Sequence, residues 1–564
     1  MFRIRTARLL ALACLCIWCG QEPVTESKAQ GSVKRAAVAL QCDTTTAPPP
    51  DSNFPKGFDY PQQVQGWVQQ GNGDRMRLHA WCLFAGLNQV AKPNGPLHWQ
   101  SWRTSTQAFP YQYNPWKGVA GAALPNRPSP LNSRNLANAK LGGPNPINNP
   151  PPVYPINAAV AKHYPSCTQP IPGHAGWYQL KDGVHMQSNG DIMVAGVVYN
   201  DAAINNILGN NGPRGIVGTR LYDAVALNGL LPTDKNGPPK AIPWFPASSI
   251  VLKPMFWPVK QGGFTALPVW DWDAHKPGSA ADGKYAGYEM QSLWTQAVAI
   301  TDLPNPTPPP TIRYLHGVYD STGTKLIGPV TYNNTTQISP PAFRVVSVND
   351  FYHRQLNRAE LSGLSPCDRA LLDASAYWAY ERAFQPGDYV VLVAMHIMTK
   401  EQQDWTFQSL WYHPDADKSD SCRYCKSRPT NLTDSTFRHY LLTTTYGTTQ
   451  QPGQQNYYSP PNTSGAIWPV AYNPYIELAA SHPITTNCMN CHHRAAWPPL
   501  ASQDKPDMGR TSSYLQETPS NPNPLEVFAE DAPIFNGLLT LDAMWAVSDR
   551  GGYPPGATKR KSSK

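Results

Sequence analysis

The chain has few charged residues, and it lacks the common signatures of nucleotide-binding and hydrolytic enzymes. Only 15% of the 564 residues are Asp, Glu, Lys or Arg, whereas an average soluble protein has about 25%. No phosphate-binding loop, dinucleotide fingerprint, His-Glu-x-x-His pattern or Ser-His-Asp order stands out. The net charge of +8 is modest, and no nucleic-acid-binding motif accompanies it. The sequence therefore does not favour nucleic-acid binding or these enzyme classes.

Long apolar segments are also missing. After residue 29, no stretch reaches transmembrane length without charge or proline, which predicts a protein with no transmembrane span. Residues 1–29 are typical of a secretory signal peptide, because three arginines precede a short apolar run and small residues precede a cleavage point after Ala29. A lipid anchor at Cys14 is the weaker alternative, since the apolar run before it is very short. We therefore expect a periplasmic or secreted protein.

Proline is abundant, at 59 residues, together with 18 Trp and 27 Tyr. Because proline interrupts helices and the interior of sheets, we expect short elements joined by long Pro-rich loops. The pattern favours a mainly β or α+β fold with a sandwich-like β body and short helices. Strands are predicted at 191–199, 249–252, 266–272, 343–348 and 389–398, and helices at 285–299 and 359–382.

The proline clusters also suggest an organisation of the mature chain. A Pro-rich linker is predicted at 30–54 and a β-rich N-terminal region at 55–303. A C-terminal region follows at 311–550, and a basic, disordered tail at 551–564. The proline run at 304–310 is either a boundary between two domains or a loop within one large domain.

Cys-Met-Asn-Cys-His at 488–492 is the most informative motif of the chain. Cysteines three positions apart can each add across a vinyl group of haem, and the histidine that follows is placed to bind the iron. The motif predicts a C-terminal attachment segment for one covalent haem c, with Cys488 and Cys491 as anchors and His492 as the proximal iron ligand. The alternatives are a Cys-x-x-Cys disulfide and half of a zinc site.

Six further cysteines remain once the signal peptide and the haem motif are set aside, namely Cys42, Cys82, Cys167, Cys367, Cys422 and Cys425. An even number in an exported protein permits up to three disulfides, whose connectivity the sequence does not give. The segment Cys-Arg-Tyr-Cys-Lys at 422–426 resembles the lysine-ligated haem site of cytochrome c nitrite reductase, so a second haem there is one alternative. A disulfide, or a four-thiolate zinc site shared with the 488–491 pair, is another.

The sixth iron ligand decides whether a haem carries electrons or binds small molecules. Met508 is one candidate, because a local loop would bring it back to the motif. His396 and Met398 are the others, since alternation puts both on one face of the strand predicted at 389–398. Ordinary packing is the alternative role of each.

Two residues just after the motif are candidates for contacts with the porphyrin. Arg494 can pair with a haem propionate, because a guanidinium matches the two oxygens of a carboxylate. Trp497 can cover a ring edge. Surface exposure and core packing are the alternatives.

Five segments of the chain resemble a group of large, single-haem bacterial proteins of the cytochrome c family. They are Arg77–Trp81, His98–Trp102, Met395–Glu401, Asp404–Trp411 and Thr486–Trp497. The resemblance touches both halves of the chain. It implies a periplasmic haem protein and attaches no reaction to it.

These features together predict a periplasmic c-type cytochrome that transfers electrons to a redox partner protein. The positive net charge favours an acidic surface on that partner. The alternative is a haem-dependent oxidoreductase whose open sixth position acts on an organic substrate. A third interpretation makes the haem peptide a terminal module on a binding or structural protein.

Overall fold

A nine-stranded antiparallel sheet is the largest element of the fold, which we describe from a computed structural model. The chain divides into two units, residues 1–39 and 40–564, and every residue described below lies in the second. The structure describes residues 42, 61–89, 97–111, 156–170, 175–176, 178–181, 186–188, 192–210, 218–269, 296–315, 335–338, 343–417, 424–425, 427–431, 434–446, 473–476, 488–498 and 529–552. The predicted signal peptide, the linker apart from Cys42, and residues 553–564 therefore lie outside it.

The elements of the described residues are short, apart from a few strands and two helices. The helices are α1 (Pro61–Gln69), α2 (Gly73–Leu87), α3 (Ser105–Ala108), α4 (Ala158–His163), α5 (Asp201–Leu208), α6 (Ala224–Leu230), α7 (Arg358–Gly363), α8 (Pro366–Tyr380), α9 (Cys488–His492) and α10 (Trp545–Arg550). The strands are β1 (Arg103–Thr104), β2 (Thr168–Pro170), β3 (Tyr178–Leu180), β4 (Met186–Ser188), β5 (Ile192–Ala195), β6 (Val198–Tyr199), β7 (Lys240–Ala241), β8 (Ile250–Val259), β9 (Thr265–Val269), β10 (Gln296–Thr301), β11 (Ile312–Leu315), β12 (Thr335–Ile338), β13 (Phe343–Ser347), β14 (His353–Gln355), β15 (Tyr389–Thr399), β16 (Thr406–Tyr412), β17 (Tyr440–Tyr446), β18 (Ala496–Trp497) and β19 (Leu539–Thr540).

The large sheet follows the order β1-β6-β8-β15-β16-β17, with β5 also paired to β8, β4 to β5, and β14 to β15. Its centre is the long antiparallel pair of β8 and β15, which runs from Tyr389 opposite Val259 to Thr399 opposite Ile250. These two strands come from opposite sides of the proline run at 304–310. That run is consequently a loop within one unit.

Two prolines lie inside the central strand β8, against the general expectation for sheet interiors. The carbonyl of Pro254 accepts a hydrogen bond from Gly196 N–H at 3.1 Å, so the backbone of Pro254 faces the gap between β5 and β6. The registered pairs of β5 with β8 end at Val194 opposite Phe256, before Pro258 is reached. Both prolines therefore face places where the strand ladder is interrupted, and their missing N–H groups cost little.

Two apolar clusters fill the structure. The first, here called the sheet core, joins the middle of the large sheet to α2 and α8 and includes Trp81, Trp257, Trp378, Leu392 and Met395. The second, here called the C-terminal cluster, covers one end of the same sheet and includes Val251, Met398, Phe407, Cys488, Met489, Trp497, Leu539, Leu541, Ala543, Met544 and Val547. Local signals start the covering helix α8: Ser365 caps it by accepting from Asp368 N–H at 3.2 Å, and Pro366 occupies its first turn.

The α+β class predicted from the sequence is confirmed, with a large antiparallel sheet and short helices. The helix predicted at 285–299 is wrong over its described part, because 296–301 forms β10; Val298, Ile300 and Thr301 are β-branched and favour a strand. The strand predicted at 191–199 is broken into β5 and β6. No described helix has the length and apolar character of a membrane span.

Candidate cofactor site

The haem motif forms the short helix α9. The helix is continued by a hydrogen bond from His493 N–H to the Met489 carbonyl at 2.9 Å. Positions 488 and 491 are thus separated by about one helical turn. Cys488 and Met489 are buried in the C-terminal cluster, against the end of the large sheet.

The imidazole of His492 is held by a backbone carbonyl from a distant part of the chain. Its Nδ1 lies 2.8 Å from the Ala543 oxygen, and because a carbonyl only accepts, Nδ1 carries the proton. The pKa of His492 is lowered to about 3, chiefly by burial; the bond to the Ala543 carbonyl raises it, and Coulomb interactions with His396, Lys253 and His493 lower it. The ring is therefore neutral, with Nε2 as the nitrogen that has a lone pair for a metal.

The segment that carries Ala543 is joined to the motif by several backbone contacts. Strand β18 pairs with β19, and Leu541 N–H donates to the Ala495 carbonyl at 3.1 Å. The hydroxyl of Ser548, on α10, donates to the Ala496 carbonyl at 2.9 Å. Residues 495–497 and 539–548 thus form one connected unit around the motif helix.

Asp542 ties this unit to the turn between β15 and β16. Its Oδ1 accepts from Lys400 Nζ at 2.5 Å and from Trp405 Nε1 at 3.1 Å. Its Oδ2 accepts from the backbone N–H of Phe245 at 2.8 Å. Burial raises the pKa of Asp542, and Lys400 only partly offsets this. The carboxylate therefore connects three separate chain segments in a buried place.

Two candidates for the sixth ligand lie on the strand face that points toward the motif. Met398 is a member of the C-terminal cluster with Cys488, while Met395 belongs to the sheet core on the other side. His396, two residues before Met398, is partly buried and lies opposite Lys253 and Ser409 in the neighbouring strands. The ring of Phe407, opposite Met398, packs against His492 with a centroid distance of 4.7 Å. Met508 lies outside the described residues.

The two residues predicted to contact a porphyrin are both buried near α9. Arg494 is 2% exposed and Trp497 is 2% exposed. Trp497 is a member of the C-terminal cluster, and its Nε1 donates to Asn228 Oδ1 at 2.9 Å. The structure thus brings both residues to the motif region.

The five described cysteines outside the motif are disulfide-bonded. Disulfides join Cys42 to Cys82 and Cys167 to Cys367, with Cα–Cα distances of 5.4 and 5.2 Å. Cys425 is also disulfide-bonded, so its sulfur is not available for a thioether or a zinc thiolate. Among the described side chains, no three His, Cys, Asp or Glu residues are grouped as metal ligands.

Helix α2 meets the turn between β15 and β16 at a buried hydrogen bond. His79 Nε2, on α2, lies 3.1 Å from Oε2 of Glu401. Glu401 is the residue that follows Lys400 in the chain. The exposed fractions of the His79 and Glu401 side chains are 1% and 0%. The β15–β16 turn therefore holds α2 through Glu401 and the C-terminal segment through Lys400.

A cleft of about 330 Å³ lies beside the motif. Its lining residues are Trp244, Gln403, Asp404, His493, Ala529, Glu530 and Asp531. Burial raises the pKa of Glu530, and the nearby Asp542 raises it further. The cleft thus combines an aromatic face, carboxyl groups and the residue that follows His492.

The contacts of Ala543, Asp542 and Lys400 are not apparent from the sequence. Ala543 contributes a main-chain atom, which no side-chain pattern reports. Asp542 and Lys400 are separated by more than a hundred residues and carry no motif; Asp542 alone, as a residue that tolerates left-handed turns, offers a weak signal.

In comparisons with protein-family models, curated proteins and solved structures, nothing matched the chain.

Proposed function

We propose that this protein is an exported c-type cytochrome that carries one haem, attached through Cys488 and Cys491, and that it transfers electrons. The observation that carries the proposal is the neutral, oriented imidazole of His492, placed directly after the paired cysteines. A histidine that binds a metal commonly donates its second ring N–H to a carbonyl or carboxylate. The bond from Nδ1 to the Ala543 oxygen at 2.8 Å has this form.

The chemistry of the surrounding residues fits the cofactor. Haem c supplies a one-electron iron couple whose potential is set by its ligands and by burial. Cys488 is buried, and the C-terminal cluster excludes water from one side of the motif helix. The buried guanidinium of Arg494 is suited to a propionate, and the indole of Trp497 to a ring edge.

His396 is our first choice for the sixth ligand. It lies two residues before Met398, on the strand face that points toward the motif, and a Coulomb interaction with it lowers the pKa of His492. Met398 lies on the same strand face but packs with Cys488 in the apolar cluster. Two histidines give a lower potential than a histidine and a methionine. Near-infrared magnetic circular dichroism of the ferric protein distinguishes the two ligand pairs.

Export and partner choice complete the proposal. Disulfides persist in the periplasm and outside the cell, which agrees with a removed signal peptide at 1–29. The net charge of +8 favours a redox partner with an acidic surface. We also propose that the β-rich part of the chain has a sandwich-like arrangement.

A haem-dependent oxidoreductase is the second candidate, and the cleft beside His493 favours it. Its volume of about 330 Å³ admits a small organic molecule next to the proposed haem. An enzyme of this kind needs an open or displaceable sixth position. Carbon monoxide therefore separates the two functions: a six-coordinate electron carrier keeps its reduced spectrum, whereas an enzyme shifts it.

The test is haem content after expression with a haem c maturation system. A pyridine haemochrome assay is expected to give one haem c per chain. Cys488→Ser should lower the content several-fold, because one thioether is lost. Cys425→Ser is the matched control, since it alters the other Cys-x-x-Cys segment and should retain one haem. Two haems per wild-type chain would instead assign a second haem site to residues 422–426. A wild-type chain without haem would overturn the proposal.

A further inference from the structure

Three non-glycine residues with left-handed backbone conformation meet at the Asp542 carboxylate. Asp542 has φ 46° and Ala543 has φ 60°, while Trp405, whose indole bonds to Asp542, has φ 62°. Left-handed backbone conformations cost conformational energy for residues other than glycine. The side chain of aspartate can offset part of this cost with local hydrogen bonds, which alanine cannot form. Such conformations persist only where surrounding contacts hold them, and they cluster at functional sites.

Backbone hydrogen bonds of Leu541 and Met544 help to hold this turn, and three further bonds end on the side chain of Asp542. Lys400 and Trp405 donate to Oδ1, and the Phe245 N–H donates to Oδ2. Both Asp542 and Lys400 are buried, so water does not compete for these bonds. The carboxylate is thus fixed from three directions.

The left-handed turn has a direct consequence for the motif. The carbonyl that follows Asp542 is that of Ala543, and it accepts the Nδ1 proton of His492 at 2.8 Å. A change in the backbone at 542 and 543 would re-aim this oxygen. From this geometry we infer that Asp542 is a positioning residue for the proposed axial histidine: its carboxylate locks the turn whose carbonyl orients the imidazole.

This inference rests on the proposed function and adds a residue that neither the motif nor the resemblance indicates. An N–H bond from a ligating imidazole to an acceptor increases the basicity of the ligand. A more basic ligand stabilises ferric iron, so weakening the bond should raise the reduction potential. A purely structural role for Asp542 would change stability and leave the potential unchanged.

The test compares the haem-loaded wild-type protein with Asp542→Asn. The amide cannot accept at both of its positions and leaves the charge of Lys400 unbalanced, so we expect a shift to more positive potential and altered ferric electron paramagnetic resonance signals at one haem per chain. Lys400→Gln removes one donor more gently and should shift the potential in the same direction by less. This second variant decides the matter if Asp542→Asn does not fold.

The matched control is Asp388→Asn. Asp388 directly precedes β15, whereas Lys400 directly follows it, and Asp388 accepts from Arg382 at 2.6 and 2.8 Å. This variant removes a buried carboxylate of similar bonding and should leave the potential at the wild-type value. Wild-type potential in haem-loaded Asp542→Asn, or in Lys400→Gln if the first variant does not fold, would overturn the inference. A colourless wild-type protein would overturn the proposed function itself, so the two failures are distinguishable.

Discussion

The sheet core and the C-terminal cluster are held together in different ways. The sheet core includes Cys167 of the Cys167–Cys367 disulfide, and it packs large aromatic and aliphatic side chains between the sheet and two helices. The Cys42–Cys82 disulfide fastens α2, one of these helices, to the chain that precedes it. Among the described residues, the C-terminal cluster has no disulfide. Instead, directed hydrogen bonds connect its segments: the Asp542 carboxylate and the Ala543 carbonyl accept them, and the Ser548 hydroxyl donates one.

This difference suggests that one region determines the stability of the fold and the other the orientation of individual side chains. Covalent links and apolar packing constrain which parts of the chain meet, with little demand on the angle of any one group. Hydrogen bonds to a carbonyl or a carboxylate fix the direction of a ring within narrow limits. Substitutions in the sheet core should therefore change mainly the free energy of unfolding. Substitutions in the C-terminal cluster should change mainly the spectrum and reduction potential of the proposed haem.

The largest expected effect comes from removing the Cys167–Cys367 disulfide with Cys167→Ala and Cys367→Ala. The bond closes a loop with a sequence separation of 200, and its loss should lower the free energy of unfolding by about 2–5 kcal/mol. Denaturant unfolding measures this loss. The visible spectrum of the folded protein should remain that of the wild type, and a changed spectrum would break the separation between the two regions.

A second prediction uses pH in the sheet core. Burial alone would raise the pKa of Asp388, but hydrogen bonds from Arg382 and from the backbone N–H groups of Gln261 and Gln385 outweigh it and hold the pKa below its usual value. Ionised Asp388 thus stabilises the fold above its unfolded pKa of about 3.9. This stability is lost as pH falls through the lower folded pKa.

Asp388→Asn should accordingly reduce the free energy of unfolding at pH 7 by about 1–2 kcal/mol, near the lower end for bonds to charged groups because Arg382 is partly exposed. The difference from wild type should shrink as the pH is lowered below about 4. Unfolding curves at several pH values measure it. A difference that stays constant down to acid unfolding would assign the effect to packing.

The smallest expected effect on stability comes from replacing one tryptophan in each of the two regions by phenylalanine. Trp497 donates to Asn228 at 2.9 Å in the C-terminal cluster, and Trp257 donates to the Ala266 carbonyl at 3.0 Å in the sheet core. Trp497→Phe and Trp257→Phe should each cost about 1–2 kcal/mol of stability. Only Trp497→Phe is expected to shift the visible spectrum of the haem-loaded protein. Equal spectra for both variants would remove Trp497 from the haem environment.

Sequence patterns predicted the parts of the fold that depend on local composition. The β-branched run at 389–398 marks β15 to within one residue of its end. Only the first residues of β8 were predicted, since Pro254 and Pro258 hide a strand whose ladder happens to be interrupted beside them. The break between β5 and β6 depends on the same tertiary pairing, which no local signal carries.

The candidate site divides in the same way. Cys488, Cys491 and His492 follow from a contiguous motif whose spacing reflects the chemistry of attachment. The carbonyl of Ala543 and the Asp542–Lys400 pair arise only when distant segments fold together, and a left-handed alanine has no sequence signature. Disulfide pairing was likewise open, because six cysteines allow many connectivities.

The most direct test of the account is the mass of one proteolytic peptide. Trypsin should release residues 439–494 as a single peptide that contains Cys488 and Cys491 and no other cysteine. We predict that this peptide, taken from exported protein, carries the added mass of one haem and absorbs visible light. A colourless peptide without that added mass, with its two sulfurs joined to each other or to another cysteine, would contradict the account.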